Sequence, residues 1–380
     1  MPDLLMVGAG PAGASLAIHL GRSGHEVVLF DKARFPRDKA CGEGLMPSGV
    51  GALQRLGILD AVESGAPFWG VRYHAGGRQA TGRFPRAAGV PNFGLGQRRL
   101  ALDERLASVV RSTPGVTFHE CLKVDRLLTR NGRVVGLESA GTSWEAPLVV
   151  LAGGLHTPLR RQAGLDGPAP TRPRLGLRAH YRLAGGQTPP PWVEVFLADR
   201  RRELYVTPLP DGELLVAALA DQGAFSGPPA ATFTAWVQSE PTLAARLEGA
   251  TAISPVIGMS PLETRPSAGY APGIVLLGDT AGFIDPITGG GMAQALLSAE
   301  LLAAHVPAVL KDPTGSALGR FDAERNRMLR DYRLLTRGVM QLADHPRLAH
   351  GAIALLAAQP ALFGHLLGVS AGVRPLWRCW

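Results

Sequence analysis

The first forty residues carry the feature that most constrains the fold. The apolar run Leu4–Val7 leads into Gly8-Ala9-Gly10-Pro11-Ala12-Gly13 and then an Ala-rich amphipathic stretch. A second apolar run, Val27–Phe30, ends in Asp31. This order predicts a strand, a glycine-rich turn, a helix and a second strand, which is the βαβ unit of dinucleotide-binding proteins.

Each glycine of this turn has a physical role in that unit. Gly8 would make the tight turn, Gly10 would let a pyrophosphate approach the backbone, and Gly13 would let helix and strand pack closely. The unpaired N–H groups at the helix start would bind the phosphates, and Asp31 would accept hydrogen bonds from a ribose. The motif leaves NAD and FAD equally open.

Composition limits the other classes of function. The 380 residues, 46% of them hydrophobic and 18% charged, suit two joined globular domains. The 39 basic residues outnumber the 31 acidic ones, but they are mostly scattered arginines. We therefore expect anionic cofactor phosphates or an acidic substrate rather than nucleic acid as their partner.

The cysteines and the apolar runs indicate the compartment. Cys41, Cys121 and Cys379 lie far apart, which predicts neither a disulfide framework nor a metal site. The chain start has no basic region typical of a signal peptide, so we expect a cytoplasmic protein. The apolar stretch from 351 to 373 is interrupted by Gln359-Pro360, and a buried helical pair is favoured there over membrane association.

The periodicity along the chain predicts a mixed α/β protein. Three antiparallel strands are expected from 116 to 139, a strand-rich region from 174 to 259 with one helix over 230–248, and long helices over 291–310 and 320–342. We expect a discontinuous Rossmann-like cofactor domain (1–70, 95–170 and 265–310), a β-sheet substrate domain (71–94 and 171–264) and a C-terminal helical region (311–380).

A second motif follows the apolar run Ile274–Leu277. It reads Gly278-Asp279-Thr280-Ala281-Gly282-Phe283-Ile284-Asp285-Pro286-Ile287-Thr288-Gly289-Gly290-Gly291-Met292. Its first carboxylate is placed to bind a hydroxyl of a sugar or sugar alcohol. The glycines after Pro286 leave backbone N–H groups at a helix start, where they stabilise the negative charge that a reduced flavin carries.

With these motifs, the chain resembles the para-hydroxybenzoate hydroxylase superfamily of flavoproteins, the group A monooxygenases, and within it the geranylgeranyl reductase branch. The resemblance is carried by Gly8–Gly13, by the segment 35–45 with its Asp-Lys-x-Cys-Gly-x-Gly-Leu pattern, and by 278–292. A weaker match is the helix start at Arg99-Leu100-Ala101-Leu102-Asp103. The resemblance implies FAD as the cofactor and NADH or NADPH as the electron donor.

The resemblance also assigns roles to residues. The pyrophosphate would lie on the first glycine turn, Asp31 would hold the adenosine ribose, and Val124 would contact adenine through its backbone. Arg99 would reach the phosphates or the ribityl chain, and Asp279 the ribityl hydroxyls. The implied cofactor-binding residues are Gly8, Gly10, Ala12, Gly13, Asp31, Lys32, Cys41, Gly42, Gly44, Arg99, Val124, Asp279, Gly291 and Met292. The catalytic candidates are Cys41, Tyr205 and Pro286, with a buried thiol without chemistry as the alternative for Cys41.

Two segments depart from the family patterns. Gly153-Gly154 stands where the hydroxylases usually carry Asp-Gly, and the nearby His156 is interpreted as a solvated turn residue. The prenyl reductases carry Tyr-x-Trp-x-Phe-Pro over the substrate, whereas here Thr207 and Leu209 replace the aromatics between Tyr205 and Pro210. The halogenase segment Trp-x-Trp-x-Ile-Pro is missing, which argues against halogenation.

Three functions follow from these patterns. The altered substrate segment favours an NAD(P)H-dependent monooxygenase that hydroxylates an aromatic or polyketide-like molecule through a flavin C4a-hydroperoxide. The alternative is a reductase that saturates an isoprenoid or another alkene, and the third is a non-enzymatic flavin-binding redox protein. For either enzyme we expect a small hydrophobic or aromatic substrate, free or carrier-bound.

Overall fold

The computed structural model describes residues 1–58, 63–198, 202–225, 227–312 and 315–377, so Cys379 lies outside the described residues. The strands are β1 (Leu4–Val7), β2 (Val27–Phe30), β3 (Gly44–Leu45), β4 (Ala66–Phe68), β5 (Gly70–Ala75), β6 (Arg78–Arg83), β7 (Gly94–Gly96), β8 (Val116–His119), β9 (Arg126–Arg130), β10 (Arg133–Ser139), β11 (Thr142–Glu145), β12 (Leu148–Leu151), β13 (Arg174–Arg182), β14 (Val193–Leu197), β15 (Glu203–Pro208), β16 (Glu213–Asp221), β17 (Thr251–Ala252), β18 (Ile257–Met259), β19 (Tyr270–Ala271) and β20 (Ile274–Leu276).

The helices alternate with these strands and fill the C-terminal region. They are α1 (Pro11–Arg22), α2 (Pro47–Arg55), α3 (Arg99–Ser112), α4 (Pro158–Gln162), α5 (Pro229–Gln238), α6 (Pro241–Arg246), α7 (Gly291–Lys311), α8 (Ser316–Ala343), α9 (Pro346–Ala358) and α10 (Pro360–Ser370). Short 3₁₀ helices span Ala184–Gly186, Gln222–Ala224, Gly278–Ala281 and Pro286–Thr288.

A six-stranded sheet in the order β19-β20-β12-β1-β2-β8 forms the centre of the molecule. All neighbours except β19 and β20 pair in parallel. Its central strands are uninterrupted apolar runs because helices α1 and α7 cover one face and the sheet β9–β11 covers the other. Parallel strands end at the same edge, so Gly8, Asp31, Gly153 and Asp279 follow their strands at one edge of this sheet.

The mixed α/β fold class with a Rossmann-like unit is confirmed, but one strand is misplaced in the sequence prediction. Val116–His119 does not join an antiparallel trio; it pairs in parallel with β2. Helix α3 precedes it, and a helical crossover returns the chain in parallel. The trio is instead β9, β10 and β11, joined by tight turns with positive φ at Asn131-Gly132 and at Ala140-Gly141.

A second large sheet has eight strands in the order β17-β13-β16-β15-β14-β5-β6, with β18 on β13. One face packs on α5 and α6 through Leu204, Val206 and Phe233. The predicted single helix over 230–248 is wrong, because Pro241 cannot continue a helix and begins α6 instead. Both segments predicted for the substrate domain supply strands to this sheet, while the domain boundaries themselves stay a prediction.

The C-terminal helices close the open face of the second sheet. Helix α9 packs on β5 and β6, and α10 packs on β6 and α8. By length and composition α7 is apolar enough to cross a membrane, as is the pair α9–α10 if it formed one span. Helix α7, however, packs against α1 and α2, and the axes of α9 and α10 are bent by 110° at their junction.

Candidate functional site

One cavity of about 310 Å³ connects the edge of the six-stranded sheet to the C-terminal helices. It brings together many of the predicted site residues, namely Gly10, Ala12, Cys41, Gly42, Gly44, Arg99, Tyr205, Asp279, Pro286, Gly291 and Met292. Its far half is mostly apolar, with Val71, Val195 and Leu219 on the sheet and Val339, Ile353, Leu356 and Phe363 on the helices; Tyr73 packs against Phe363 there.

The first glycine turn is shaped for a ligand phosphate. A Cβ on Gly8, which has φ of 101°, would lie 2.5 Å from the Ala152 carbonyl, and one on Gly13 would lie 1.9 Å from the Gly8 carbonyl. These two glycines therefore hold helix and strand together. Around Gly10 the nearest heavy atom would be 3.6 Å away, and no side chain caps the helix start there. The open face at Gly10 and the free helix N–H groups fit a pyrophosphate.

Asp31 is fixed beside this turn. Its carboxylate accepts hydrogen bonds from the backbone N–H groups of Ala9 and Ala33, both at 2.8 Å. Each oxygen keeps further acceptor capacity for ribose hydroxyls. Two other predicted residues do not line the cavity: Lys32 is exposed, and Val124 is buried in the core between the central sheet and β9–β11.

The Asp279 turn forms the opposite wall of the cavity. Asp279 lies in the 3₁₀ helix Gly278–Ala281, which is tied to the turn after β12 because the Gly154 N–H donates to Thr280 Oγ1 at 2.9 Å. Arg325 of α8 donates to the Ala281 carbonyl at 2.7 Å. Burial lowers the pKa of Arg325 to about 10. His156, on the same turn as Gly154, is exposed.

Tyr332 of the C-terminal helix α8 holds the glycine loop before α7 in place. Thr288 Oγ1 donates to Tyr332 Oη at 2.7 Å, and the Gly290 N–H donates to the same oxygen at 3.3 Å. No side chain caps the start of α7 at Gly290, so this helix terminus directs its positive end toward the cavity wall at Gly291 and Met292. Such a terminus suits the flavin edge that becomes negative on reduction.

The loop Cys41–Gly44 is held in an unusual backbone conformation. Glu43 has φ of 56°, a left-handed value that side chains disfavour. Its Oε1 accepts the Arg99 N–H at 2.9 Å and its Oε2 lies 2.7 Å from His180 Nε2. Thr207 Oγ1 donates to the Gly42 carbonyl at 2.7 Å. The loop is thereby locked with Cys41 and Gly42 facing the cavity.

Arg99 lines the cavity but does not extend freely toward phosphates. Its guanidinium makes two hydrogen bonds to the buried Asp103, at 2.9 and 2.8 Å. Arg37 Nη1 reaches the same carboxylate at 3.1 Å. The Arg99 guanidinium is therefore held by its own helix α3, and its predicted contact with the cofactor stays a prediction.

A buried charge network adjoins Tyr205 and Pro286. Arg174 Nη1 donates to both oxygens of Asp285 at 2.7 Å, and its Nη2 donates to Glu203 Oε1 at 3.0 Å. Tyr205 Oη donates to Glu203 Oε2 at 2.7 Å. Burial raises the pKa of Glu203, although Arg174 opposes the rise.

Sequence reasoning did not single out Glu43, His180, Arg174, Glu203 or Tyr332. Glu43 lies at a variable position of its motif, and strand alternation cannot say which polar side chains of β13 and β15 meet across the sheet. Among the described residues, no group of three or more His, Cys, Asp or Glu side chains is arranged to hold a metal ion.

Comparison with known proteins identifies the family. The model of the FAD dependent oxidoreductase family matches residues 99–305, and that of the NAD(P)-binding Rossmann-like domain matches residues 6–37. The chain belongs to the FAD-dependent oxidoreductases. The cofactor is FAD, as the second glycine motif predicted, and the open turn at Gly10 with the two uncapped helix starts fits it.

Relatives of this oxidoreductase include both reductases and an epoxidase. It is 31% identical to the menaquinone reductase of Mycolicibacterium smegmatis over 79% of this chain and 76% of the relative. It is 25% identical to digeranylgeranylglycerophospholipid reductase 1 of Methanothermobacter thermautotrophicus, over 84% and 81% of the two chains. It is also 25% identical to the squalene epoxidase of Schizosaccharomyces pombe, over 82% and 70%.

The fold of this oxidoreductase also occurs in solved structures. A flavoprotein/dehydrogenase from Cytophaga hutchinsonii superposes with a TM-score of 0.83 at 22% identity, over 97% of this chain and 92% of that one. The predicted resemblance to the geranylgeranyl reductase branch is confirmed by the digeranylgeranylglycerophospholipid reductase relative.

Proposed function

We propose that this FAD-dependent oxidoreductase reduces a carbon–carbon double bond in the chain of an isoprenoid lipid. The observation that carries the proposal is the far half of the cavity, where most lining side chains on both the sheet face and the helix face are apolar. Pockets of this kind hold ligands mainly by burying apolar surface, with few polar groups to set orientation. An extended hydrocarbon chain matches that lining better than a compact phenol.

Most polar groups of the lining belong to the loops around Cys41 and Asp279 and to strand β15. Thr207 is bonded to Gly42 beside Cys41, and Tyr205 lies further along β15 next to Val195, whereas Val339, Ile353 and Leu356 line the helix side. A reacting double bond would lie among the polar groups, and the rest of the chain would extend toward α8 and α9. This arrangement weakens the hypothesis of aromatic hydroxylation, because a small aromatic molecule would leave the remote apolar half without contacts.

The relatives support the same substrate class. Menaquinone, squalene and digeranylgeranylglycerophospholipid, which stand in the names of the relatives, are all isoprenoid compounds. Reduction is preferred over epoxidation because the relative with the higher identity, 31%, is a reductase, while the epoxidase is 25% identical.

The residues of the chain have separate tasks in this proposal. Gly10 and the start of α1 would hold the FAD pyrophosphate, Asp31 the ribose and Asp279 the ribityl chain. When bound, FAD supplies a hydride that it has received from NADH or NADPH. Cys41 and Pro286 would border the reacting group, and the apolar walls would exclude water.

A second candidate is oxygen insertion into an isoprenoid, which the squalene epoxidase relative favours. The two reactions share a substrate class but differ in their need for oxygen. A digeranylgeranyl lipid, which has no quinone ring to be reduced, would be incubated with enzyme and NAD(P)H under strict anaerobiosis, and the products analysed by mass spectrometry. Products heavier by two hydrogens without oxygen support reduction. Products that form only in air and carry one added oxygen atom would refute it.

The C-terminal helices also suggest how such a substrate arrives. Leu348 and Leu355 are 58% and 53% exposed, on helix α9, whose other face lines the cavity. We propose that these side chains contact a lipid surface at the cytoplasmic side of a membrane, from which the isoprenoid chain enters between α8 and α9.

A further inference from the structure

Reduction of an isolated double bond needs a proton as well as a hydride. The hydride adds to one alkene carbon, and a proton must reach the other carbon as the π electrons form the new C–H bond. An apolar cavity that excludes water cannot deliver this proton from bulk solvent. If the proposed function holds, on which this inference rests, a polar side chain that lines the cavity must supply it.

Tyr205 is placed to face the substrate from the sheet. Its side chain lines the cavity, and its hydroxyl is 2.7 Å from Glu203 Oε2. Tyr205 is 9% exposed and Glu203 is 1% exposed. A phenol alone would lose its proton to the substrate and become a buried phenolate, which is costly unless a neighbour replaces the proton at once.

Glu203 lies in a cluster that favours holding a proton. Arg174, 4% exposed, donates both to Glu203 and to Asp285. One guanidinium between two ionised carboxylates leaves an excess negative charge in a buried site, and a proton on one carboxyl group removes that charge. Asp285 also accepts the Ile287 N–H at 2.9 Å, whereas Glu203 accepts from the neutral Tyr205, so Glu203 is the better place for the proton.

Burial and the neighbouring groups affect the pKa of Glu203 in both directions, and burial is the largest influence. Burial raises the pKa of Glu203, and the charge of Asp285 adds to the rise while Arg174 opposes it. Tyr73, on β5, is also buried, and burial together with the Glu203 charge raises its pKa. Arg174 is the cation hydrogen-bonded to Glu203, Arg202 lines a small cavity on its other side, and the charge of Asp285 repels a negative charge there.

A route for replacing the proton starts on the other side of Glu203. A small cavity of about 10 Å³ is lined by Glu203, Arg202, Ala343, Pro346 and His350. That volume is about the space one water molecule needs. His350 is exposed, so the small cavity lies between Glu203 and the protein surface.

We propose that Glu203 and Tyr205 form the proton-donating pair of this oxidoreductase. Glu203 holds the proton and donates it to Tyr205 Oη, while the hydroxyl proton of Tyr205 turns into the cavity and is transferred to the alkene carbon opposite the hydride. Tyr205 recovers its proton from Glu203 in the same step, and the Glu203 carboxylate is reprotonated from solvent through the small cavity. Charge and atoms balance, since one hydride and one proton are added across the double bond.

The test uses the FAD-loaded protein and three variants. Glu203→Gln and Tyr205→Phe remove the two donors, and Glu194→Gln is the matched control. Glu194 is a fully buried carboxylate on the adjacent strand β14, hydrogen-bonded to His74 at 3.0 Å, and it does not line the cavity. Infrared spectra at neutral pH, without substrate, should show the carbonyl band of a protonated carboxyl group, lost in Glu203→Gln and kept in Glu194→Gln.

Single-turnover kinetics supply the second measurement. Under anaerobiosis, flavin reduction by NAD(P)H should be unchanged in both donor variants, whereas the subsequent oxidation of the flavin by a digeranylgeranyl lipid should slow about 100-fold. Glu203→Asp should recover part of the rate. A protonated-carboxyl band that survives in Glu203→Gln, or an unchanged rate in Tyr205→Phe, would overturn the proposal. A wild-type flavin that no isoprenoid oxidises would instead refute the proposed function, and the infrared band would still decide whether Glu203 stores a proton.

Discussion

Glu43 Oε2 and His180 Nε2 lie 2.7 Å apart, and both side chains are almost completely buried. This contact joins the loop that carries Cys41 to strand β13 of the second sheet. The other oxygen of Glu43 holds the backbone at the start of α3. A single carboxylate therefore connects the loop Cys41–Gly44, helix α3 and the second sheet, and it does so from a left-handed backbone position.

We expect Glu43→Ala to destabilise the protein strongly. Removing one partner of a buried, hydrogen-bonded pair costs about 3–5 kcal/mol, because the remaining polar groups stay buried without partners. Denaturant unfolding measures the loss, and FAD content after purification should fall with it. Glu145→Ala is the control, since Glu145 pairs with Arg130 at the surface and its side chain is 47% exposed. Equal effects of the two substitutions would contradict the role given to Glu43.

Substitutions in the first glycine turn can separate effects on protein stability from effects on FAD binding. A Cβ at Gly13 would collide with the Gly8 carbonyl, whereas one at Gly10 would meet nothing closer than 3.6 Å. Gly13→Ala should therefore lower the melting temperature of the protein even without FAD. Gly10→Ala should leave the melting temperature of the FAD-free protein unchanged and reduce FAD binding, because the new methyl group fills the space of the pyrophosphate.

Gly338→Ala completes that comparison. Gly338 lies in helix α8 with open space around its Cα, and alanine there should stabilise the helix by about 0.5–1 kcal/mol without affecting FAD. Calorimetry and flavin absorbance measure the two effects separately. FAD binding by Gly10→Ala as tight as that of the wild type would show that the pyrophosphate does not lie on this turn.

Much of the central sheet could be predicted from sequence because its signals are local. Strand β1, the glycine turn and α1 follow one another within 22 residues, and their apolar runs are long enough to identify. The pairing of β8 was missed because strand direction depends on the preceding crossover helix rather than on the strand itself. The break before α6 was missed although Pro241 marks it, because an apolar pattern continues on both sides.

The site was less accessible to sequence reasoning for a different reason. The residues predicted to contact the cofactor occupy fixed motif positions, whereas those that hold the motifs in place lie at variable positions or outside the motifs. Glu43 meets His180 across 137 positions, and Thr288 meets Tyr332 across 44. Such pairs depend on tertiary packing, and one sequence contains no signal that links them. Arg99 shows that a motif can also mislead. Its motif predicted a contact with the cofactor, whereas its guanidinium donates two hydrogen bonds to Asp103.

The buried cluster around Glu203 predicts a particular pH dependence of stability. Burial raises the pKa of Glu203 above the ordinary glutamate value of 4.5, so the folded protein retains a proton that the unfolded chain releases. The free energy of unfolding should therefore fall as pH rises from about that value through the raised pKa. Urea unfolding across this range should show a smaller decline in Glu203→Gln than in the wild type.

Glu120 should show the opposite pH dependence of the free energy of unfolding in the same urea experiment. A hydrogen bond from Arg111 lowers its pKa, so Glu120 contributes stability above its unfolded pKa that is lost as pH falls through the lowered value. Glu120→Gln should therefore flatten the acid side of the profile and leave the decline at higher pH in place. A Glu203→Gln profile parallel to that of the wild type would contradict a raised pKa at this carboxyl group.

The exposed leucines of the C-terminal helices lead to a prediction about lipid surfaces. Leu348 and Leu355 are more than half exposed on α9, and the opposite side of this helix carries Ile353 and Leu356 into the cavity. The net charge of +8 adds an attraction to anionic lipids, which salt weakens. The protein should bind vesicles that contain phosphatidylglycerol, and Leu348→Glu with Leu355→Glu should weaken that binding at least about tenfold, because each substitution replaces buried apolar contact with a charge.

Leu100→Glu is the matched control, since Leu100 is 41% exposed on α3 and does not line the cavity. Vesicle co-sedimentation measures all three proteins. If Leu100→Glu weakens vesicle binding equally, the protein binds lipid through its net charge alone. Entry of the substrate between α8 and α9 would then need another explanation.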